Sequence, residues 1–248
     1  MASIARETEN FYQDTLVNYL VSMARTVEGA VNRAIEALLN IHGPKTATLV
    51  SEIFYNEPRI NEMEILIDER AVKLLQGGAL PEQDVRMIFA TLRINNDLER
   101  MGDLAVNIAQ RVISLAEMKS AETPPEFDPM SAAVRAMVGR SLGALIFRNV
   151  ELANIVLQSD DAVDRFRDVV FERLLAEMAH SPDAVAPNMQ YVLASRYLER
   201  IADHCTNIAE DVVYWVRGLD VRHGRGRALD AQERQAADPP PVLDSELE

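Results

Sequence analysis

LERMGDLAVNIA, residues 98–109, returns as LERIADHCTNIA at residues 198–209, one hundred positions later. Leu, Glu, Arg, Asp, Asn, Ile and Ala keep their places, while Met101 answers to Ile201 and Gly102 to Ala202. Self-similarity at a fixed offset marks a duplicated structural unit. In each copy the apolar positions lie together on one side of a helix: Met101, Ala105, Ile108 and Val112, then Ile201, Cys205, Ile208 and Val212. Both copies therefore read as amphipathic helices with one buried stripe.

The same period extends outward. Residues 4–42, 45–75 and 81–118 each read as one long helix. Met23, Val27, Val31, Ala34, Ile35 and Leu38 form the stripe of the first, and Ile60, Met63, Ile67 and Leu74 that of the second. Gly43-Pro44 and Gly77-Gly78 separate them, and Pro81, followed by Glu82 and Asp84, opens the third where the helix dipole favours acids. KSAETPPEFDP, residues 119–129, is polar and proline-bearing and reads as a linker. Residues 130–157, 160–180 and 187–217 then repeat the pattern, with the offset rising to 103 where DDAVDRFR answers to EPRINEME. The expected fold is all-α, two units of three long antiparallel helices over residues 1–118 and 130–217; a single six-helix assembly would bury the same stripes. Residues 218–248 hold few apolar residues and a proline run, and read as a tail that stays mostly disordered. Its basic patch, Arg222, His223, Arg225 and Arg227, reads as solvated.

Composition narrows the classes of function. The 248-residue chain is 48% apolar, ample for a core, and rich in helix formers. Its net charge of -14 opposes nucleic-acid backbones and anionic lipid, and favours cations and basic partner surfaces. The single cysteine, Cys205, makes no internal disulfide, and MASIARETENFYQ has no signal-peptide core, so a cytoplasmic protein is expected. No apolar run approaches the roughly 18 to 20 residues of a membrane span, which leaves the membrane reachable only through partners.

The polar side of the repeated helix carries the candidate site. Glu99, Asp103 and Asn107 fall within about 80 degrees of one another on a helical projection, as do Glu199, Asp203 and Asn207. The adjacent Arg100 and Arg200 leave the helix on another face, so acids four apart repel without a local counter-ion. A second ridge on the second helix, Glu57, Asn61, Glu64 and Asp68, falls within about 60 degrees and could meet the first if the two helices lie side by side. The corresponding helix of the second half offers Asp160, Asp164 and Asp168, with Arg167 and Phe171 in the places of Glu64 and Asp68. Carboxylate and amide oxygens without thiolates suit a divalent metal such as iron, Mn2+ or Mg2+, and zinc less well. Solvated surface is the competing reading, because a chain with 39 acids shows many such pairs.

Other candidates carry less. Glu177 and His180 have the Glu-x-x-His spacing of di-iron bundles in one copy where two are needed. His204 answers to Leu104 and Cys205 to Ala105, which assigns them rim or packing and buried roles. There is no glycine-rich phosphate loop, Ser-His-Asp set or zinc spacing, so an enzyme is not indicated.

The tandem LER-[IM]-x-D-x-x-x-NI-A segment, with INEMEILID at 60–68, LPEQDVRMIFATLRINNDLER at 80–100, VEGAVNRAIEALL at 27–39 and GLDVRH after the sixth helix, resembles the PhoU family of phosphate-signalling regulators. The resemblance implies tandem three-helix bundles with a pseudo-twofold internal repeat, often dimeric. It implies a negative regulator of the phosphate-starvation response that links PstB, the ATPase of the phosphate-specific ABC transporter, to the sensor histidine kinase PhoR. It also implies E/D-x-x-x-D metal motifs on the bundle surface, here Glu99 with Asp103 and Glu199 with Asp203. A metal-binding accessory of another phosphate permease, or a carboxylate-bridged metalloenzyme, are the alternatives.

Overall fold

The computed structural model describes residues 2–118 and 121–222. Seven helices follow in order: α1 Ala2–Leu39, α2 Thr46–Gln76, α3 Glu82–Ala116, α4 Phe127–Phe147, α5 Val150–Leu157, α6 Asp160–His180 and α7 Val185–Arg217, with a 3-10 turn at Pro182–Ala184 before the last. The protein is all-α. The predicted stripes are where the core lies: Met23, Val27, Val31, Ala34, Ile35 and Leu38 on α1, and Met101, Ala105, Ile108 and Val112 on α3, are all fully buried. So are Ile201, Cys205, Ile208 and Val212 on α7, and burial pushes the Cys205 thiol up to about 12.

α1, α2 and α3 pack on one another, and α4, α5 and α6 pack around α7. α3 and α7 then pack against each other along their length, and a single apolar cluster runs through both halves. Arg93 pairs with Asp211, Asp97 with His204, and Arg111 with Gln190, so the two helices run antiparallel. Positions 101 and 201 lie near the middle of this seam.

The first helix of the second repeat departs from expectation. The predicted single helix over 130–157 begins earlier, at Phe127, and breaks in two after Phe147. Arg148 takes a left-handed conformation, φ 50°, and its N–H caps the carbonyls of Ala144 and Leu145. Asn149 then starts α5 by accepting a hydrogen bond from the Leu152 N–H at 2.9 Å. The Arg148 guanidinium lies 4.9 Å over the Trp215 ring, an anchor for the strained residue.

Two segments read as loose are held down. In the linker, Ala121 and Phe127 are buried, Thr123 Oγ1 donates to the Leu38 carbonyl at 2.9 Å, and the His42 Nε2–H donates to the Ala121 carbonyl at 3.1 Å. At the far end Gly218 supplies the left-handed turn, φ 69°, that ends α7, and Val221 packs on the core. Arg222 is paired with Asp220 at 2.5 Å and only partly exposed, which corrects its reading as solvated tail. Residues 223–248, the rest of the expected tail, lie outside the described residues. Among the described residues one helix, Phe127–Phe147, has the length and composition to cross a membrane. Phe127, Met130, Val134, Met137, Val138, Leu142 and Leu145 are buried on it, as in a core helix.

Candidate functional site

The close approach of α2 to α3 builds the first cluster. A Cβ at Gly102 would come within 3.2 Å of the Ile60 Cδ1, so glycine lets the helices meet here. One residue on from Gly102 is Asp103, and one turn on from Ile60 is Glu64. The ridges of α2 and α3 therefore meet, and Glu64, Asp68, Glu99 and Asp103 interact. Glu64 has its carboxyl raised by desolvation and then by Asp68, with Arg100 opposing and Asp103 adding to the rise. Glu99 is raised by desolvation, then by Asp103 and Glu64. Asn95, buried beneath them, ties the helices together by donating to the Glu64 carbonyl and to Asp68 Oδ1, both at 3.0 Å. Arg100 does not leave the face: its long side chain curls back to place Nε 3.6 Å from Glu99. Among the described residues, no hydrogen bond or ion pair ties Glu57, Asn61 or Asn107 to these four acids.

α6 and α7 repeat the arrangement with different partners. Asp160, Asp164, Glu199 and Asp203 interact, and partial desolvation followed by the charges of Glu199, Asp160 and Asp164 pushes Asp203 up to about 6. Asp160 is raised chiefly by burial, although Thr206 Oγ1 donates to it at 3.3 Å. Arg167, one repeat after Glu64, reaches Glu199 at 3.1 Å and Asp168 at 3.0 Å. Asp168 is thereby drawn off the cluster, and Phe171, after Asp68, is an exposed apolar side chain. Asn207 turns away from Glu199 and Asp203, donating to Asp97 Oδ1 at 3.2 Å across the seam.

That seam holds Asp97, Arg93 and Asp211, which the sequence did not mark. Asp97 is buried and also lies within hydrogen-bond distance of His204 Nδ1, at 2.8 Å. Asp211, 5% exposed, is held by Arg93 at 3.1 Å; burial still pushes its carboxyl up to about 6. Asp97, Arg93 and Asp211, with Phe89, Asn96 and Arg222, line an open cleft of about 720 Å3. Asp97 is bonded to His204 and Asn207, and Asp211 to Arg93. His204 beside Asp203 was the available signal, but its partner Asp97 lies more than one hundred residues away.

The remaining candidates are accounted for locally. Glu177 accepts from Arg173 and Asn188, and His180 donates to the Ala176 carbonyl, so the Glu-x-x-His spacing assembles no ligand pair. Among the described residues no three His, Cys, Asp or Glu side chains are gathered closely enough to hold a metal ion. The acidic ridges stand as open carboxylate surfaces whose mutual repulsion a hard cation would relieve.

Fold and ridges together define a duplicated helical scaffold with one acidic surface per repeat. The chain matches the PhoU domain twice, over residues 20–112 and 127–212, and it belongs to the PhoU family. It is 36% identical over 209 residues to a Pseudomonas aeruginosa protein named phosphate-specific transport system accessory protein PhoU homolog, covering 83% of this chain and 84% of that one. A Pseudomonas putida protein of the same name is 35% identical over 223 residues, 89% of this chain and 85% of the relative. The crystal structure of PhoU from Pseudomonas aeruginosa aligns with TM-score 0.80 and 33% identity, over 85% of this chain and 99% of that one. PhoU from Streptococcus pneumoniae, at TM-score 0.77 and 22% identity over 86% and 99%, shares the fold. These relatives carry the names of accessory and regulatory proteins.

Proposed function

We propose that the protein is an accessory protein of a phosphate-specific transport system and a negative regulator of phosphate-starvation signalling and phosphate uptake. It acts in the cytoplasm, as a homodimer, as an adaptor between a PstB-like transporter ATPase and a PhoR-like sensor histidine kinase. The observation that carries this reading is the match over more than four fifths of both chains to relatives named for that transport system. An adaptor of this kind needs a preference for one state of its partners worth on the order of 1 to 3 kcal/mol. The two acidic ridges and the net charge of -14 suit basic surfaces on those partners.

The same reading gives the ridges a cation. Glu64, Asp68, Glu99 and Asp103 supply oxygens of the kind a hard divalent ion takes and repel one another, but they would have to draw closer together to hold it. Such an ion would cross-link α2 to α3 and lower the negative charge that a partner meets.

Alkaline phosphatase, a starvation reporter, measured in phosphate-replete host cells tests the regulatory role. Deleting the gene should turn the reporter on, and restoring it should silence it. Charge reversal at Asp103 and Asp203 together should derepress it with the fold intact. A reporter that stays silent on deletion defeats the regulatory reading, and a folded double variant that still represses removes the ridges from it.

A further inference from the structure

In a chain of net charge -14, an open groove of about 540 Å3 between α1 and α2 is lined by two arginines and by no carboxylate. Asn18, Ser22, Arg25, Gly29 and Arg33 form its α1 side, a stripe within about 80 degrees on a helical projection, and Asn56 faces them from α2. The Arg33 Nε–H donates to Glu52 Oε2 at 2.6 Å, which holds one edge of the guanidinium. Its far end lies back over Gly29, where a Cβ would stand 2.7 Å from Nη1. Gly29 thus lets Arg33 reach toward Arg25, one turn earlier on the helix. Among the described residues no hydrogen bond or ion pair engages the side chains of Asn18, Ser22 or Arg25. Asn56 gives one amide N–H to the Glu52 carbonyl at 2.7 Å and keeps the other. A glycine in a helix interior is destabilising relative to alanine, yet one stands here in the middle of α1. In the second repeat, 107 positions on, Val134, Arg140 and Leu145 answer to Val27, Arg33 and Leu38, while Ala136 replaces Gly29 and Ala132 replaces Arg25.

We propose that this groove binds a phosphate group, as the free ion or carried by a small molecule, with Arg25 and the far end of Arg33 as a cationic clamp and Ser22 and Asn56 as further donors. Guanidinium N–H pairs match phosphate oxygens in geometry and charge, and a tetrahedral group can accept from α1 and α2 at once. The acids elsewhere on the protein oppose this little, because the field of exposed charges is screened over about 8 Å at physiological ionic strength. No aromatic side chain lines the groove, which gives a nucleobase nothing to stack on and favours a small polar ligand. The groove shares no residue with the acidic ridges, so it stands whether or not those ridges meet a partner.

Calorimetric titration of the purified full-length protein with inorganic phosphate and with pyrophosphate, in a buffer free of other multivalent anions, tests this. At least one of the two should bind; phosphate binding identifies the free ion as sufficient, and pyrophosphate binding alone identifies a carried group. Arg25→Gln should weaken that binding at least tenfold. Gly29→Ala should do the same while its ligand-free melting temperature equals or exceeds the parent's, since alanine is the better helix former and only the Arg33 side chain has to move. Arg140→Gln, at the matching place in the second repeat, should leave binding unchanged. Binding of neither probe would overturn the proposal. So would binding that survives both Arg25→Gln and Gly29→Ala, or that Arg140→Gln weakens equally.

Discussion

In the first repeat Glu64 of α2 lies with Glu99 and Asp103 of α3; one repeat later the matching position on α6 is Arg167, bonded to Glu199. The helix order, apart from the break between α4 and α5, and the buried stripes of α3 and α7 are the same. The electrostatics are not, because exchanging Glu64 for an arginine changes the local charge by two at a place where helices touch. Packing differs with it: Gly102 brings α2 against α3 with Ile60 in close contact, while Ala202 stands at the matching position on α7. The seam shows the same divergence. Arg93 and Asp97 hold Asp211 and His204 at one end, and the corresponding residues, Leu193, Tyr197, Arg111 and Leu104, build a different end. Duplicated folds keep the apolar pattern that the core demands and drift where side chains face water or each other.

The largest effect expected concerns the seam. Arg93→Leu, which gives this end the residue found at 193, leaves Asp211 buried without its guanidinium and should cost about 3 kcal/mol at neutral pH. Denaturant unfolding would measure it, and a loss below about 1 kcal/mol would show the pair to be dispensable. In the parent protein Asp211 sits at about 6 when folded, against an ordinary 3.8. A value raised on folding means that the folded state binds the proton more tightly. Stability contributed by this group is therefore greatest below pH 4 and is lost as pH rises through 6, a change of up to roughly 3 kcal/mol. Asp211→Asn should flatten that slope, which melts at pH 5 and pH 7 would reveal.

Gly102→Leu should force α2 from α3 and cost roughly 1 to 3 kcal/mol by overpacking, with the Glu64 and Glu99 carboxyls returning toward ordinary values. Carboxyl titration by NMR reads the second consequence, and unchanged Glu64 would show that the close approach does not set its environment. Arg167→Gln should cost about 1 kcal/mol, since Glu199 is mostly buried while the guanidinium still reaches water. Arg100→Gln, its nearest first-repeat analogue in role, should be close to neutral; equal effects would erase the distinction between the ridges. Smallest of all, Glu64→Gln should stabilise the metal-free protein by a few tenths of a kcal/mol by removing a like charge. That gain should shrink in added salt.

Much of this architecture was readable from residue order. Apolar spacing at three and four located the helices, and the returning LER segment located the duplication. The break at Arg148 was not marked, because no glycine or proline stands there; the one signal was Asn149, a good N-cap inside an otherwise helical run. Which acids meet was half legible: α2 and α3 had to lie side by side for Glu64 to reach Glu99. The bonds of Asp97 to His204 and Asn207, and of Arg93 to Asp211, were beyond reach, since they depend on the register of two helices distant in sequence. Arg100 was misread for a different reason, as a face rule drawn from Cβ positions does not hold a long flexible side chain.

The antiparallel seam between α3 and α7 also speaks to origin. A lone three-helix repeat would leave its third helix with an uncovered apolar face, and the simplest cover is a second copy of itself about a twofold axis. In this chain each repeat covers that face of the other, and because the two covers are separate stretches of one sequence they need not be identical, so the seam can carry two unlike ends.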